Sequence, residues 1–162
     1  MNFLVNGRHR GANPLVRAAL GTGLAMLALF WVSSLLLFYE KMGLTPASVA
    51  LYYLGDEESF RGPLSYMGLL ETTHAHLFTY GLVFILVNHL VVFTAVSTRL
   101  KALLIWTTVI SGALNVGAGW LVLYCGAAFA AVKLGAFIVF QASLGVSIVL
   151  TGLSLIGDER RR

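Results

Sequence analysis

The sequence predicts an all-α membrane protein, built as a bundle of four transmembrane helices. Its composition is the first reason, because 58% of the 162 residues are hydrophobic, 11% are charged and the mean hydropathy is +0.84. Soluble domains lie far from these values. The second reason is that four apolar runs each reach the ~20 residues that cross a bilayer. These runs cover approximately residues 18–39, 72–96, 102–124 and 127–156.

The whole chain, residues 1–162, is predicted as a single membrane domain. Its first apolar run follows a basic segment, as the apolar region of a signal peptide also does. The run is longer than such a region, and no small-x-small cleavage pattern lies between it and Glu40. We therefore expect the first run to stay in the protein as a membrane anchor.

Arginine and lysine residues predict the orientation in the membrane. They are concentrated before the first run, between the second and third runs and after the fourth: Arg8, Arg10, Arg17, Arg99, Lys101, Arg160, Arg161 and Arg162. The loop over residues 40–71 carries an acidic balance instead. The positive-inside rule then predicts cytoplasmic N- and C-termini and a periplasmic loop, in a bacterial-type cell inner membrane.

This topology and the anionic lipid headgroups of the bilayer account for the net charge of +4. No nucleic-acid partner is therefore expected. Within the outer loop, Thr45-Pro46 favours a helix start and Gly55 a helix stop. The stretch between them is predicted to form a short amphipathic helix at the outer membrane surface. Its tyrosines are consistent with an interfacial anchor or with a lid over the end of the second span.

The second span carries the residues that are best able to bind a metal ion or a cofactor. The run from Glu71 to His76 opens it, and Asn88 and His89 follow. At 100° per residue, Glu71 and His89 share one face of a helix with His74 about 60° away, whereas His76 points elsewhere. A rise of ~1.5 Å per residue separates His74 from His89 by about 22 Å. The outer histidines and His89 are therefore predicted to belong to two sites, or to one site with a bystander.

The other spans add polar residues at the same two depths. The predicted outer layer contains Glu71, His74, His76, Asn115 and Lys133. The predicted inner layer, near the midplane, contains Asn88, His89 and Gln141. Lys133 is expected either to reach the outer interface or to pair with Glu71. His89 is expected either to bind a cofactor or to hydrogen-bond Gln141 between helices.

Imidazoles at two depths on one membrane helix are what two stacked b-type haems require. The spacing of His74 or His76 from His89 resembles the paired ligands on one helix of di-haem membrane cytochromes b. That resemblance implies one or two haem b groups, serving electron transfer or redox sensing, with Asn88 and Gln141 beside the inner haem. Glycines on the third and fourth spans are consistent with close porphyrin approach or with helix packing: Gly112, Gly117, Gly119, Gly135, Gly145 and Gly152.

Opposing axial ligands are missing from the sequence, because the first, third and fourth spans contain no histidine. Three sources stay open: a homodimer about an axis along the membrane normal, a redox partner subunit, or a five-coordinate haem without a second ligand. A second resemblance rests on Met42-Gly43-Leu44-Thr45-Pro46 and Thr73-His74-Ala75-His76. The chain resembles small four-span bacterial membrane proteins with a Met-Gly-x-Thr-Pro loop and a Thr-His-x-His helix start, which implies four spans but no particular activity.

The outer histidines also allow a second interpretation. Glu71, His74 and His76 would hold a single divalent ion such as zinc, copper or iron, because Glu-x-x-His places both groups on adjoining turns. A third interpretation is a non-catalytic subunit or assembly factor of a larger membrane complex. No catalytic triad, phosphate-binding loop, pair of acid/base carboxylates or cofactor fingerprint indicates an enzyme.

Overall fold

The computed structural model describes the backbone of residues 14–160 and the side chains of residues 15–156. The expectations that rest on Arg8, Arg10, Arg161 and Arg162 lie outside this part. The described chain is almost entirely helical and contains no β-strand. Its helices are α1 (Pro14–Met42), α2 (Pro46–Leu54), α3 (Tyr66–Val92), α4 (Thr98–Cys125) and α5 (Ala130–Arg160), with a 3₁₀ turn at Ala127–Phe129.

Four of these helices, α1, α3, α4 and α5, are long and apolar enough to cross a membrane. The predicted all-α fold with four spans is therefore confirmed. Serine caps move the boundaries away from those of the apolar runs. Ser65 caps α3, since its Oγ accepts a hydrogen bond from the backbone N–H of Gly68 at 3.0 Å. As a result α3 begins at Tyr66, ahead of the apolar run that predicted it.

Four successive spans place the described ends of α1 and α5 on one side of the bundle. We call this side the terminal end; it also holds the connection between α3 and α4. The opposite side, which carries α2, is called the outer end. That the terminal end faces the cytoplasm stays a prediction from the charge pattern.

The predicted short helix in the loop is confirmed as α2. The Thr45 hydroxyl accepts from the backbone N–H of Ser48 at 3.1 Å, and the Ser48 hydroxyl accepts from the backbone N–H of Thr45 at 3.2 Å. This reciprocal pair is a capping box. Gly55 ends the helix with φ of 91°, and a Cβ there would lie 2.6 Å from the Arg61 carbonyl oxygen. Only glycine fits this turn without strain.

One face of α2 packs onto the bundle. Val49 is fully buried and Tyr53 is 2% exposed, because α2 packs against α1, α4 and α5. Its apolar face joins a core cluster with residues from all four spans, including Phe38, Leu69, Val122, Leu134 and Phe137. The predicted membrane-surface anchor is thus wrong for Tyr53. Instead, α2 closes the outer end of the bundle.

Removing the α2 cap measures how much the start of this helix contributes to stability. Thr45→Ala is expected to lower the free energy of unfolding by about 1 kcal/mol, because one backbone N–H at the helix start loses its partner. Chemical unfolding in detergent, followed by tryptophan fluorescence, measures the change. Thr22→Ala is the matched control, since the Thr22 hydroxyl is exposed and, among the described residues, bonds only carbonyls of its own helix. Equal losses in the two variants would contradict a capping role.

The contact between α4 and α5 is the most extensive in the bundle. Small buried polar residues line it: Thr108, Ser111, Ser143, Ser147 and Thr151. Most of their hydroxyls donate to backbone carbonyls of the preceding turn, and Thr108 Oγ1 also lies 3.0 Å from Ser143 Oγ across the interface. Small residues let membrane helices approach closely, which explains why this pair forms the centre of the fold.

Candidate cofactor site

The middle of the bundle is where Phe84, Gly112 and Phe140 meet. A Cβ on Gly112 would lie 2.6 Å from Phe84 Cζ and 3.4 Å from Phe140 Cδ2, and Gly112 is at the centre of α4. At ~1.5 Å per residue, His89 lies about 8 Å from Phe84 towards the terminal end, and His74 about 15 Å towards the outer end. The placement of His89 at the midplane is therefore corrected: it lies in the inner half, in the last turn of α3.

One side of α3 is left uncovered by the other described helices. We call it the outward face of α3, and its exposed residues are Glu71, His74, Phe78, Leu82, Ile85 and His89. The helical projection placed Glu71, His74 and His89 together, and all three are indeed exposed on this side. The His89 ring contacts the edge of the Phe93 ring, with centroids 4.9 Å apart. Two imidazoles thus stand at two depths on one exposed face.

His76 lies on a different side of α3 and is half-buried. Its Nδ1 is 2.7 Å from the Thr72 carbonyl oxygen. Because a carbonyl only accepts, this contact places a proton on Nδ1 and leaves Nε2 as the acceptor of the neutral ring. The ring packs edge-on against Tyr80 at a centroid distance of 5.3 Å. His76 therefore faces the bundle, while His74 faces away from it.

A three-ligand metal centre is not formed by this arrangement. Glu71 and His74 are exposed on the outward face of α3, whereas His76 turns inward. Within the described part of the chain, no group of three or more His, Cys, Asp or Glu side chains is placed to hold a metal ion.

The predicted inner layer does not come together either. Gln141 faces α1: its Nε2 donates to Ser34 Oγ at 2.7 Å, and its backbone oxygen accepts from Trp31 Nε1 at 2.8 Å. Asn88 is half-buried and His89 is exposed. The expected hydrogen bond between His89 and Gln141 is thus wrong, because the two side chains point to different sides of the bundle.

The interior of a single chain does not fit a haem. Three of the glycines proposed to admit a porphyrin are covered by aromatic side chains of the protein itself, and Leu24 lies over Gly152, whereas Gly117 and Gly135 are exposed. Phe84 packs over Gly112, the Tyr53 hydroxyl over Gly119, and Trp31 over Gly145, where a Cβ would lie 3.0 Å from the indole. The covered positions therefore serve helix packing. The outward face of α3 is where imidazoles and uncovered surface coincide.

A buried polar cluster lies in the outer half of the bundle and consists of Tyr80, Asn115 and Lys133. Lys133 is 5% exposed, and its Nζ donates to the backbone oxygen of Asn115 at 2.6 Å. Asn115 Nδ2 donates to the Tyr80 hydroxyl oxygen at 2.8 Å, while Asn115 Oδ1 is buried without a partner among the described residues. Both expectations for Lys133 are corrected: it neither reaches the interface nor pairs with Glu71, which is exposed.

Tyr80 is the member of this cluster that the sequence analysis missed. It follows His76 by one helical turn, so the half-buried side of α3 pointed to it. Its ring stacks on Phe140 at 4.7 Å. Above it, burial raises the pKa of the Tyr53 hydroxyl far above its ordinary value, and the neighbouring Tyr52 and Tyr80 raise it further. Tyr53 is therefore a neutral hydroxyl at the outer end of the bundle.

The fold and these residues define a multi-pass membrane protein with a closed outer end and one exposed histidine-bearing helix face. Residues 43–162 match a family of transmembrane helical domains, Aq_1264_TM. Because the match covers well over half of the chain, the protein belongs to this family. The matched part contains α2 to α5 and leaves α1 outside it. Neither the curated proteins nor the solved structures gave a match to this chain.

Proposed function

We propose that this protein binds haem b at the outward face of α3 and serves electron transfer or redox sensing in the membrane. The supporting observation is the exposure of His74 and His89 at two depths on a face that the other described helices leave uncovered. Ionisable side chains inside a membrane generally face a protein interior, a cavity or a partner. An imidazole about 8 Å from the bundle centre therefore requires something to cover it.

The surroundings of His89 match the needs of a porphyrin. Leu82, Ile85 and Leu86 are exposed on the outer side of His89, and Phe93 packs against its ring. These apolar side chains would exclude water from the ring faces, while the imidazole nitrogen would bind the iron. Haem in this position would supply a one-electron couple within the hydrocarbon.

The opposing ligand comes from a second copy of the chain in this proposal. A twofold axis along the membrane normal makes two α3 helices parallel and sets equal residues at equal depth. The outward faces of α3 then oppose each other, with the His89 of one protomer across from the His89 of its partner. Bis-histidine ligation becomes possible although each chain offers one histidine at that depth.

An optical spectrum tests the proposal. The protein is expressed with ample haem precursor, purified in detergent, and reduced with dithionite. A Soret band and the α and β bands of b-type haem are expected. Light scattering is expected to show that the haem-bearing protein is a dimer. A haem-bearing monomer or hetero-complex would instead indicate five-coordinate haem or a redox partner subunit.

Two outcomes without bound haem would contradict the proposal, and they can be told apart. Haem-free protein with stoichiometric zinc, copper or iron by elemental analysis would favour the divalent metal site around Glu71 and His74. Protein free of both haem and metal would favour the non-catalytic subunit or assembly factor. In either case the outward face of α3 would have another occupant.

A further inference from the structure

A groove lies between α1 and α5 at the terminal end of the bundle, away from the histidines. Its volume is about 560 Å³, within the range of about 300–1,000 Å³ that is usual for small-molecule sites. It is lined by Arg17, Gly21 and Leu24 of α1 and by Gly152, Leu155 and Ile156 of α5. Apart from Arg17, these side chains are apolar or absent.

The groove opens beside Gly21, at the terminal end of the contact between α1 and α5. Nearer the outer end the two helices touch, with Phe38 stacked on Phe137 at 3.7 Å and Trp31 packed over Gly145. At Gly21, by contrast, an added Cβ would meet nothing within 4 Å. Gly21 therefore leaves part of the groove without a side chain, whereas at Gly152 a Cβ would lie 3.4 Å from Leu24 Cδ2.

The chemistry of the groove is that of a phospholipid. Arg17 precedes Gly21 by one turn, which places its Cα about 6 Å nearer to the start of α1, at the level of the headgroups. Guanidinium groups bind phosphates through paired hydrogen bonds, and basic pockets between membrane helices bind anionic headgroups. The exposed Arg99 lies at the same end of the bundle. We propose that the groove binds an acyl chain of an anionic phospholipid whose phosphate contacts Arg17.

Such a lipid would hold α1 against the rest of the protein. In the most apolar stretch of α1 only 6% of residues are buried, against 50% in α5. Among the helices, α1 packs against α5 and α2, and it lies outside the part matched to the family. An acyl chain in the groove would add apolar contact to this sparsely buried helix. This inference is independent of haem binding.

Lipid-dependent thermal unfolding tests the site. In mild detergent, phosphatidylglycerol is expected to raise the Tm by about 5–10 °C when present at roughly 100 times its Kd. Phosphatidylcholine with the same acyl chains and inorganic phosphate are expected to give much smaller shifts. Tryptophan fluorescence reports unfolding whether or not haem is bound.

Two variants locate the effect. Gly21→Leu fills the groove and is expected to abolish the Tm shift caused by phosphatidylglycerol. Arg17→Gln is expected to make the Tm shifts caused by phosphatidylglycerol and phosphatidylcholine equal. Gly23→Leu is the matched control, because a Cβ there also meets nothing within 4 Å and the residue does not line the groove. It is expected to keep the full shift. Native mass spectrometry should show the bound lipid in the wild type and the control.

Several results would overturn the proposal. One is an equal Tm shift by phosphatidylcholine or by free phosphate in the wild type. Another is an unchanged response of a folded Gly21→Leu protein. A third is a response that develops only after deletion of residues 1–13, which would show that the N-terminal segment fills the groove in the full chain.

Discussion

His89→Ala is expected to remove the haem bound at the inner depth, because an axial ligand is lost together with its contribution to affinity. The haem b content of the purified protein then falls by at least roughly tenfold if that haem is the single one, and by about half if His74 holds a second haem. In the dimer proposed above, the substitution removes both axial imidazoles of that haem, since each copy supplies one of them. The pyridine haemochrome assay, normalised to protein concentration, measures the content. Circular dichroism checks that the helices are retained.

His76→Ala is the matched control for this variant. It removes an imidazole from the same helix, but one that faces Tyr80 and hydrogen-bonds the Thr72 carbonyl. Its haem content is expected to stay near that of the wild type. His74→Ala separates one haem from two: with a second haem at the outer end, the ratio of haem to chain falls by half. Full haem content in His89→Ala, or its loss in His76→Ala, would contradict ligation by the outward face of α3.

The features predictable from sequence were those set by local chemistry. Apolar length predicts the four spans, and the dipeptide Thr45-Pro46 with Gly55 predicts α2 at its observed bounds. The 100° step of a helix separates His76 from His74 without knowledge of any neighbour. What this step does not give is the rotation of α3 in the bundle. Whether the face with His89 or the face with His76 turns inward depends on contacts with α4 and α5.

Contacts between helices explain the corrections. The length of a lysine side chain favours an interfacial position for Lys133, but the packing of α4 against α5 puts the Asn115 carbonyl within its reach. In the same way, a glycine in a span is consistent with a cofactor or with another helix. Trp31 lies over Gly145 and Phe84 over Gly112 because of the way the helices pack. This packing cannot be predicted from one stretch of the sequence.

Lys133→Met is expected to raise the free energy of unfolding by about 1–3 kcal/mol. Lys133 lies in the first turns of α5, but it is buried, and burying its charge costs desolvation free energy. A hydrophobic residue of similar volume in place of a buried charge is often stabilising. The one hydrogen bond of Lys133 with the described residues, to the Asn115 carbonyl, offsets only part of that cost. Reversible unfolding in mixed micelles measures the difference.

Lys101→Met is the matched control. The Lys101 ammonium makes the same kind of bond, to the Val92 carbonyl oxygen at 2.8 Å, but at the terminal end where it is partly exposed. Its replacement is expected to change stability by no more than about 0.5 kcal/mol. A Lys133→Met protein less stable than the wild type would show instead that Lys133 is a structural tie between α4 and α5.

A stabilised Lys133→Met protein would imply that the buried polar cluster exists for a reason other than stability. Asn115 Oδ1 is buried beside it without a partner among the described residues, and leaving such an atom unpaired costs about 1–3 kcal/mol. Two costs at adjacent positions are typical of a functional site rather than of helix packing. The haem content of the same variant then separates two roles. Unchanged content would mean that the cluster acts independently of the outward face of α3, whereas reduced content would mean that the two sites are coupled through Tyr80.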